Sequence, residues 1–270
     1  MNQKHKEPFR ILYVITCLFC LATGMMVILY PCIASAWNSH TQSRAISGYN
    51  ETLKQIENHR YEQMWLEAES FNQTVIRNGM SSLLSKEETE QYKSLLSEDP
   101  DGMIGYIEIP SIRCRLPVYH GTEEKTLSSG AGHVEWSSLP TGGENTHCVI
   151  SGHSGMPGAE LFNHLSEVRK GDVFTLYVLD RILTYEIIRI QTCLPEETDL
   201  LKIREGEDLC TLVTCTPYGI NSHRLLITGK RIHEEPVVTA TAESNTKDSL
   251  LWISLGTLLW MAGWMHTLLR

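Results

Sequence analysis

Residues 211–231 read TLVTCTPYGINSHRLLITGKR, two runs of β-forming residues separated by a segment of turn formers. Val, Ile, Leu and Thr favour strands, whereas Pro217 and Gly219 interrupt regular pairing. The stretch therefore predicts two strands joined by a loop, with Cys215 near the end of the first strand and Arg224 at the start of the second. If these strands pair as neighbours, the thiol and the guanidinium emerge at the same edge of the sheet.

The same sequence pattern begins at Gly105, where short runs of Ile, Val, Leu, Thr and Tyr alternate with Gly, Pro, Asn and Asp. It is typical of a closed, mostly antiparallel β-domain. One or two helical turns are predicted within residues 159–168. The predicted strands are residues 105–110, 114–119, 146–153, 173–179, 183–193, 208–215 and 224–232.

The segment that precedes this β-domain, residues 47–96, is rich in Glu, Gln, Lys, Leu and Met and has few Gly or Pro. Apolar residues such as Ile56 and Trp65 recur in it at helical spacing. Because Asn78-Gly79 predicts a turn, two helices are expected. A packing or stalk role is favoured for them over a direct part in chemistry.

Two uncharged apolar stretches, residues 11–36 and 250–269, predict membrane spans, since a helix needs about 20 residues to cross a bilayer. A cleaved signal peptide is the alternative for the first stretch, although its apolar run exceeds the usual length of about 7 to 15 residues. The basic residues at the outer ends of the two stretches are Lys4, Lys6, Arg10 and Arg270. The positive-inside rule therefore predicts cytoplasmic termini and an extracellular segment between the spans.

Charge and cysteine content exclude several classes of function. The net charge of −9 comes without a basic stripe that could neutralise phosphates, which argues against nucleic-acid binding. Of the eight cysteines, five lie outside the first apolar stretch, so at least one of these thiols is not paired within the chain. Their positions are 114, 148, 193, 210 and 215. None has metal-ligand spacing, so neither a metal nor another cofactor is expected.

The candidate catalytic residues are Cys215, His153 and Arg224, which all lie at predicted strand ends. A thiolate is the nucleophilic form of cysteine, imidazole can relay a proton, and a guanidinium can stabilise an oxyanion. Together the three residue types suit acyl transfer of the Cys/His kind. Taken singly, each residue type is more often buried, hydrogen-bonded or solvated than catalytic. The residues by themselves leave the two interpretations evenly balanced.

The TLVTC sequence at residues 211–215 resembles the TLxTC signature of sortases, the membrane-anchored cysteine transpeptidases of Gram-positive bacteria. The resemblance continues in the expected order through GYIEIPSI, LPVYHGT, GAGHVEWSSLPTGGENTHCVISGHSG and LFNHLSEVRKGD, and it covers residues 103–232. It is strongest to class C sortases, the pilin polymerases, which often carry a second membrane span at the C-terminus.

This resemblance implies an eight-stranded β-barrel in which His153, Cys215 and Arg224 meet at one end of a groove. It also implies that Thr214 lines the groove and assists the oxyanion. The implied reaction cleaves an LPxTG-like sorting signal between Thr and Gly, holds the fragment as a thioester on Cys215, and passes it to an amine. In pilin polymerases the amine is a lysine side chain of the next pilin.

Alternative functions stay open at this point. A sortase that attaches surface proteins to the peptide bridge of a cell-wall precursor is the nearest one. A cysteine hydrolase is another, and a non-catalytic β-barrel scaffold tethered to the membrane is a third from a different class. The second apolar stretch and the long helical segment before the β-domain, residues 47–96, favour pilus assembly.

The patterns and the resemblance divide the chain into six regions. They are a cytoplasmic N-terminus (1–10), a transmembrane helix (11–36), an extracellular helical or lid-like region (37–102), the sortase barrel (103–233), a linker (234–249) and a second transmembrane helix (250–269). The catalytic domain is thus expected outside the cell membrane.

One departure from the family pattern concerns the lid. Class C sortases usually carry an Asp-Pro-aromatic tripeptide in the helical segment before the barrel. Residues 71–96 contain none, and Asp99-Pro100 is followed by Asp101. The expectation is therefore either an open active site or a lid-like segment that lacks the usual anchor.

Other histidines and cysteines of the β-domain are expected to be structural. Strand alternation predicts that His223 points away from the face of Arg224, and that Cys148 and Cys210 are buried thiols directed away from the site. His133 and His147 match positions that the family keeps for structure.

Overall fold

The computed structural model describes residues 7–78, 84–98, 102–156, 158–159 and 161–232. The predicted linker and second transmembrane helix (250–269) lie outside these residues. The helices are α1 (Glu7–Leu53), α2 (Asn58–Asn78), α3 (Lys86–Ser94) and α4 (Glu124–Ser129). The strands are β1 (Met103–Ile109), β2 (Cys114–His120), β3 (Ala131–His133), β4 (Thr146–Ser151), β5 (Val173–Val178), β6 (Arg181–Cys193), β7 (Asp208–Thr216) and β8 (His223–Arg231). Short 3-10 turns lie at Pro110–Ile112, Leu165–Glu167 and Thr198–Leu201.

The eight strands close into a barrel in the order β1-β2-β3-β4-β7-β8-β6-β5, which confirms the closed β-domain. Two neighbouring pairs, β2–β3 and β4–β7, are parallel, and the other pairs are antiparallel. Strand β7 lies between β4 and β8. Because β4 and β7 are parallel, the loop after β4 and the end of β7 lie at the same end of the barrel.

All seven predicted strands are present, and their ends differ from the predicted ones by at most two residues. The additional strand, β3, has only three residues and includes Gly132, so it is too short to show a period of two in the sequence. Among the described residues of 159 and 161–168, the predicted helical turns reduce to the 3-10 turn Leu165–Glu167.

The barrel interior is filled by buried apolar side chains from its strands. In β5 the pattern alternates strictly, with Phe174, Leu176 and Val178 buried. The rings of Phe174 and Tyr185 stack at a centroid distance of 5.4 Å. Each such buried side chain contributes about 1.5–3 kcal/mol of hydrophobic stabilisation, and this packed core holds the strand ends in place.

Helix α1 joins the first predicted membrane span to the barrel without a break. Within the described chain it supplies the one segment that is long and apolar enough to cross a membrane. An 18-residue stretch of this helix has a mean hydropathy of 2.4, and none of that stretch is buried. Its later part docks on the barrel, where the Tyr49 hydroxyl donates to the carbonyl oxygen of Ile104 at 3.1 Å and accepts from the amide of Leu179 at 2.8 Å. An apolar N-terminal helix of this kind is consistent with a membrane anchor.

Helices α2 and α3 pack on the barrel, so of the packing and stalk roles the packing role fits. The predicted first helix began too early, since residues 47–53 continue α1 and Ile56 lies in the break before α2. The indole Nε1 of Trp65 donates to Oδ1 of Asp180 at 2.8 Å, in the turn between β5 and β6. The buried Asn72 side chain exchanges two hydrogen bonds with the backbone of Leu139, donating at 3.1 Å and accepting at 2.7 Å. These contacts fix α2 on the barrel at two points along its length.

Candidate active site

Strands β7 and β8 pair so that Cys215 and Arg224 are direct partners in the antiparallel register. Directly opposed residues in such a pair project their side chains to the same face, so the thiol and the guanidinium share one side of the sheet. The pairing predicted from residues 211–231 is thus confirmed. Cys193, at the end of β6, is the partner of Arg224 on its other side.

A cavity of about 330 Å³ opens at this end of the barrel, and His153, Thr214, Cys215 and Arg224 all line it. The structure therefore brings together the four site residues that the sequence analysis named. Apolar side chains form much of the wall, among them Val134, Trp136, Leu194, Leu201, Val213 and Leu226. The thiol of Cys215 is partly exposed and accessible from this cavity.

Three hydrogen bonds fasten the loop that carries His153 to strand β7. The amide of Gly152 donates to the carbonyl oxygen of Val213 at 3.0 Å, and the Thr214 hydroxyl donates to the carbonyl oxygen of Gly152 at 2.8 Å. The Ser154 hydroxyl donates to the carbonyl oxygen of Cys215 at 2.6 Å. These hydrogen bonds hold the backbone on both sides of His153 at a fixed position relative to Cys215.

Thr214 has a different position from its neighbour Cys215. Its side chain is buried, with 3% of the residue exposed, and its only hydroxyl proton is donated to the carbonyl oxygen of Gly152. That proton is not available to an oxyanion in this arrangement. Thr214 thus borders the cavity while its hydroxyl links the ends of β4 and β7.

The side chain of Arg224 is oriented by the loop between β7 and β8. One of its terminal nitrogens donates to the carbonyl oxygens of Asn221 and His223, both at 3.2 Å. Asn221 has a φ of 59°, in the left-handed region, which sets the direction of its carbonyl group. The guanidinium has five donor hydrogens, so this anchoring leaves others to contact a substrate.

Glu124 is a residue of the site that the sequence analysis missed. Its Oε2 lies 3.2 Å from Nε2 of His153, although the two residues are 29 positions apart. It comes from the first turn of α4, a six-residue helix after β2. No sequence pattern linked an acidic helix start to a histidine on another loop, because only the barrel closure brings the two segments together.

Cys193 is the second thiol in the cavity. Its burial, followed by the nearby carboxylate of Glu197, raises the pKa of the Cys193 thiol, and the charge of Arg224 opposes this only in part. Cys193 is therefore a neutral packing residue rather than a nucleophile. Cys148 and Cys210 are buried partners across β4 and β7, and no disulfide links any of the eight cysteines, which all lie in the described chain.

His133 and His147 occupy buried structural positions, as expected. His133 is fully buried, with Nδ1 2.9 Å from the Tyr92 hydroxyl and Nε2 2.9 Å from the carbonyl oxygen of Ser138. His147 lies 2.7 Å from the hydroxyl of Thr211 through Nε2. Neither residue lines the cavity that contains Cys215.

The wall of this cavity, over the described residues, is formed by the chain from Thr122 onward. Helices α2 and α3 contribute no residue to it and pack elsewhere on the barrel. Of the two expectations for the lid, an open groove is the one that fits the described residues 58–78 and 84–98. Residues 79–83, in the part where a lid-like segment was expected, lie outside the description.

Comparison with known proteins places this geometry in a family. The sortase domain family matches residues 107–232. Sortase D of Bacillus subtilis (strain 168) is 31% identical over 153 residues, which cover 55% of this chain and 74% of that protein. His153, Cys215 and Arg224 all lie within residues 107–232, the part that matches the family.

Solved structures of class C sortases are similar over a larger part of the chain. Sortase C1 of Streptococcus agalactiae has a TM-score of 0.69 and 41% identity, covering 71% of this chain and all of that one. Sortase C of Streptococcus pneumoniae, whose structure was described in relation to catalysis and pilin substrate specificity, has a TM-score of 0.64 and 43% identity, covering 72% and 100%. Sortase C of Clostridium perfringens with the C-terminal cell wall sorting motif has a TM-score of 0.63 and 35% identity, covering 71% and 100%.

Proposed function

This chain belongs to the sortase family of cysteine transpeptidases, among the class C sortases, and we propose that Cys215, His153 and Arg224 form its catalytic site. The observation that carries the proposal is the direct pairing of Cys215 with Arg224 across β7 and β8, in one cavity with His153. Among the thiols of that cavity, Cys215 is the partly exposed one, whereas Cys193 is buried.

In the proposed reaction the Cys215 thiolate attacks the carbonyl carbon of a scissile Thr–Gly bond. The guanidinium of Arg224 donates hydrogen bonds to the oxyanion of the tetrahedral intermediate. His153, as imidazolium, gives its proton to the leaving amine, so the C–N bond breaks and a thioester remains on Cys215. His153 then accepts a proton from the incoming amine, which attacks the thioester and releases the thiolate.

The proposed substrate is an LPxTG-like sorting signal. The cavity has apolar walls that suit the leucine and proline of such a signal, and a polar end at His153, Cys215 and Arg224. The Clostridium perfringens sortase C solved with its C-terminal cell wall sorting motif supports this choice of ligand class. Apolar walls also favour an amine over water at the thioester, because an occupied groove excludes solvent.

The proposed acceptor is a lysine amine of a pilin, so the product is a pilin polymer. The likeness to class C sortases supports this choice, and one of them was described in relation to pilin substrate specificity. Transfer to the peptide bridge of a cell-wall precursor is the competing outcome. We further propose that residues 11–36 anchor the enzyme and that the barrel at 103–233 works outside the membrane, with both termini in the cytoplasm.

The test measures acyl transfer from an LPxTG peptide by the membrane-anchored protein. Mass spectrometry of the wild type should detect the acyl fragment on Cys215, and Cys215→Ala should lose both the adduct and turnover. Cys193→Ser is the matched thiol control and should still form the adduct. Retained turnover in Cys215→Ala would reject the assignment.

The acceptor is identified in the same assay by competition. A pilin fragment that contains lysine and a peptide that represents the cell-wall bridge are supplied together, and the two amide products are quantified. A predominance of the pilin product supports polymerisation, and a predominance of the bridge product assigns wall anchoring. Product that remains an acid with both amines present identifies a hydrolase.

A further inference from the structure

The carboxylate of Glu124 contacts the ring of His153 at the rim of the cavity that contains Cys215. Oε2 of Glu124 lies 3.2 Å from Nε2 of His153, and within the described chain it is the one side-chain atom at hydrogen-bond distance from that ring. The His153 side chain is 28% exposed, whereas that of Glu124 is 78% exposed. The carboxylate thus approaches the ring from the solvent side.

We infer that Glu124 is a positioning residue for His153, an inference that rests on the proposed acyl-transfer function. An ionised carboxylate only accepts hydrogen bonds, so Nε2 of His153 must carry the hydrogen in this contact. The other ring nitrogen, Nδ1, is then the atom that gives and takes the catalytic proton. Glu124 therefore selects both the ring orientation and the nitrogen used in the reaction.

The carboxylate also stabilises the charged form of the ring that the reaction requires. Besides His153, the ionisable residues that line the cavity are Cys193, Glu197, Cys215 and Arg224. The fixed positive charge of Arg224 disfavours a second cation nearby, and the negative charge of Glu124 offsets this effect. Because Glu124 is mostly exposed, solvent screens the pair and its removal should change the rate only modestly.

The backbone around Glu124 keeps this contact in place. Glu124 is the first residue of α4, and the amide of Leu127 donates to the carbonyl oxygen of Glu123 at 3.0 Å, which closes the first turn. Leu127 itself lines the catalytic cavity, so the helix is seated beside the groove. The neighbouring Glu123 points to a different partner, with Oε1 3.7 Å from Nζ of Lys93.

The experiment compares Glu124→Gln, Glu124→Ala and Glu124→Lys with the matched controls Glu123→Ala and Glu123→Lys in the full chain. The kcat for acyl transfer should fall about twofold in Glu124→Gln, which keeps an acceptor, and about fivefold in Glu124→Ala. Glu124→Lys should fall further, and added salt should reduce its deficit. The KM for the LPxTG peptide, the thermal midpoint and both Glu123 variants should stay at wild-type values.

Two results would overturn the inference. One is a Glu124→Ala enzyme with wild-type kcat. The other is an equal loss in Glu124→Gln and Glu124→Ala together with a lowered thermal midpoint, which would indicate a structural role. Acyl-enzyme on Cys215 is measured by mass spectrometry in the same samples, because its absence from the wild type would instead reject the proposed function.

Discussion

Gly152→Ala is the substitution for which the structure gives the most specific expectation. Gly152 immediately precedes His153, and a Cβ atom added there would lie 2.6 Å from Cδ2 and 2.9 Å from Cε2 of the Phe162 ring. Phe162 is fully buried, so the ring has little room to move away. The amide of Phe162 also donates to the carbonyl oxygen of His153 at 3.0 Å, and a displaced Phe162 would therefore pull on His153 itself.

The expected magnitude follows from these contacts. Overpacking of a rigid core usually costs about 1–3 kcal/mol, which corresponds to a fall in the thermal midpoint of roughly 2–12 °C. A shift of His153 by about 1 Å is enough to reduce kcat by up to about 100-fold. A 100-fold fall in kcat corresponds to about 2.7 kcal/mol, so the two effects are of similar size in free energy. We therefore expect Gly152→Ala to lower both kcat and the thermal midpoint.

The assay measures kcat with the LPxTG peptide together with the thermal midpoint. Gly152→Ala combined with Phe162→Leu should recover part of the lost activity, because the smaller side chain makes room for the methyl group, and the two effects should be non-additive. Gly48→Ala is the control, since no atom lies within 4 Å of its added Cβ. A Gly152→Ala enzyme with wild-type kcat, or a Phe162→Leu change that adds its own loss without recovery, would contradict this expectation.

Two further predictions concern the arginine loop and acid stability. Asn221→Gly should keep the left-handed backbone at φ 59° and wild-type kcat. Asn221→Val should lower kcat about tenfold, because it turns away the carbonyl group that orients Arg224. Equal activities of the two variants would contradict this role. Burial lowers the pKa of His120 from 6.5 to about 4, so the folded state resists protonation of this ring. The protein should therefore lose up to about 3 kcal/mol of stability as the pH falls from about 6.5 to 4. Thermal unfolding of His120→Gln should show a shallower loss over this window, and parallel curves for the two proteins would count against the assignment.

Much of the β-domain could be predicted from residue patterns because strand formation depends on local properties. Alternation of apolar and polar residues and the positions of Gly and Pro located seven of the eight strands to within two residues. Strand β3 was missed because three residues cannot display a period of two. The turn formers between Cys215 and Arg224 likewise predicted a pairing that the register of β7 and β8 confirms.

The sequence predicted the proposed catalytic residues Cys215, His153 and Arg224, because they lie at strand ends and match a family signature. It did not predict the residues that contact them. Glu124 reaches His153 across 29 positions, and Asn221 orients Arg224 through a backbone carbonyl rather than a side chain. Thr214 was expected to assist an oxyanion, and only the hydrogen bond to Gly152 reveals that its proton is already used.

Local patterns thus determined where strands begin and end, which segment is apolar enough for a membrane, and which residue types could do acyl transfer. Tertiary structure alone decided the strand order that inserts β7 between β4 and β8, and with it the placement of His153 and Cys215 in one cavity. The physical reason is that strand propensity is a property of a few consecutive residues. Barrel closure depends on which distant strands satisfy each other's backbone hydrogen bonds and bury a common core.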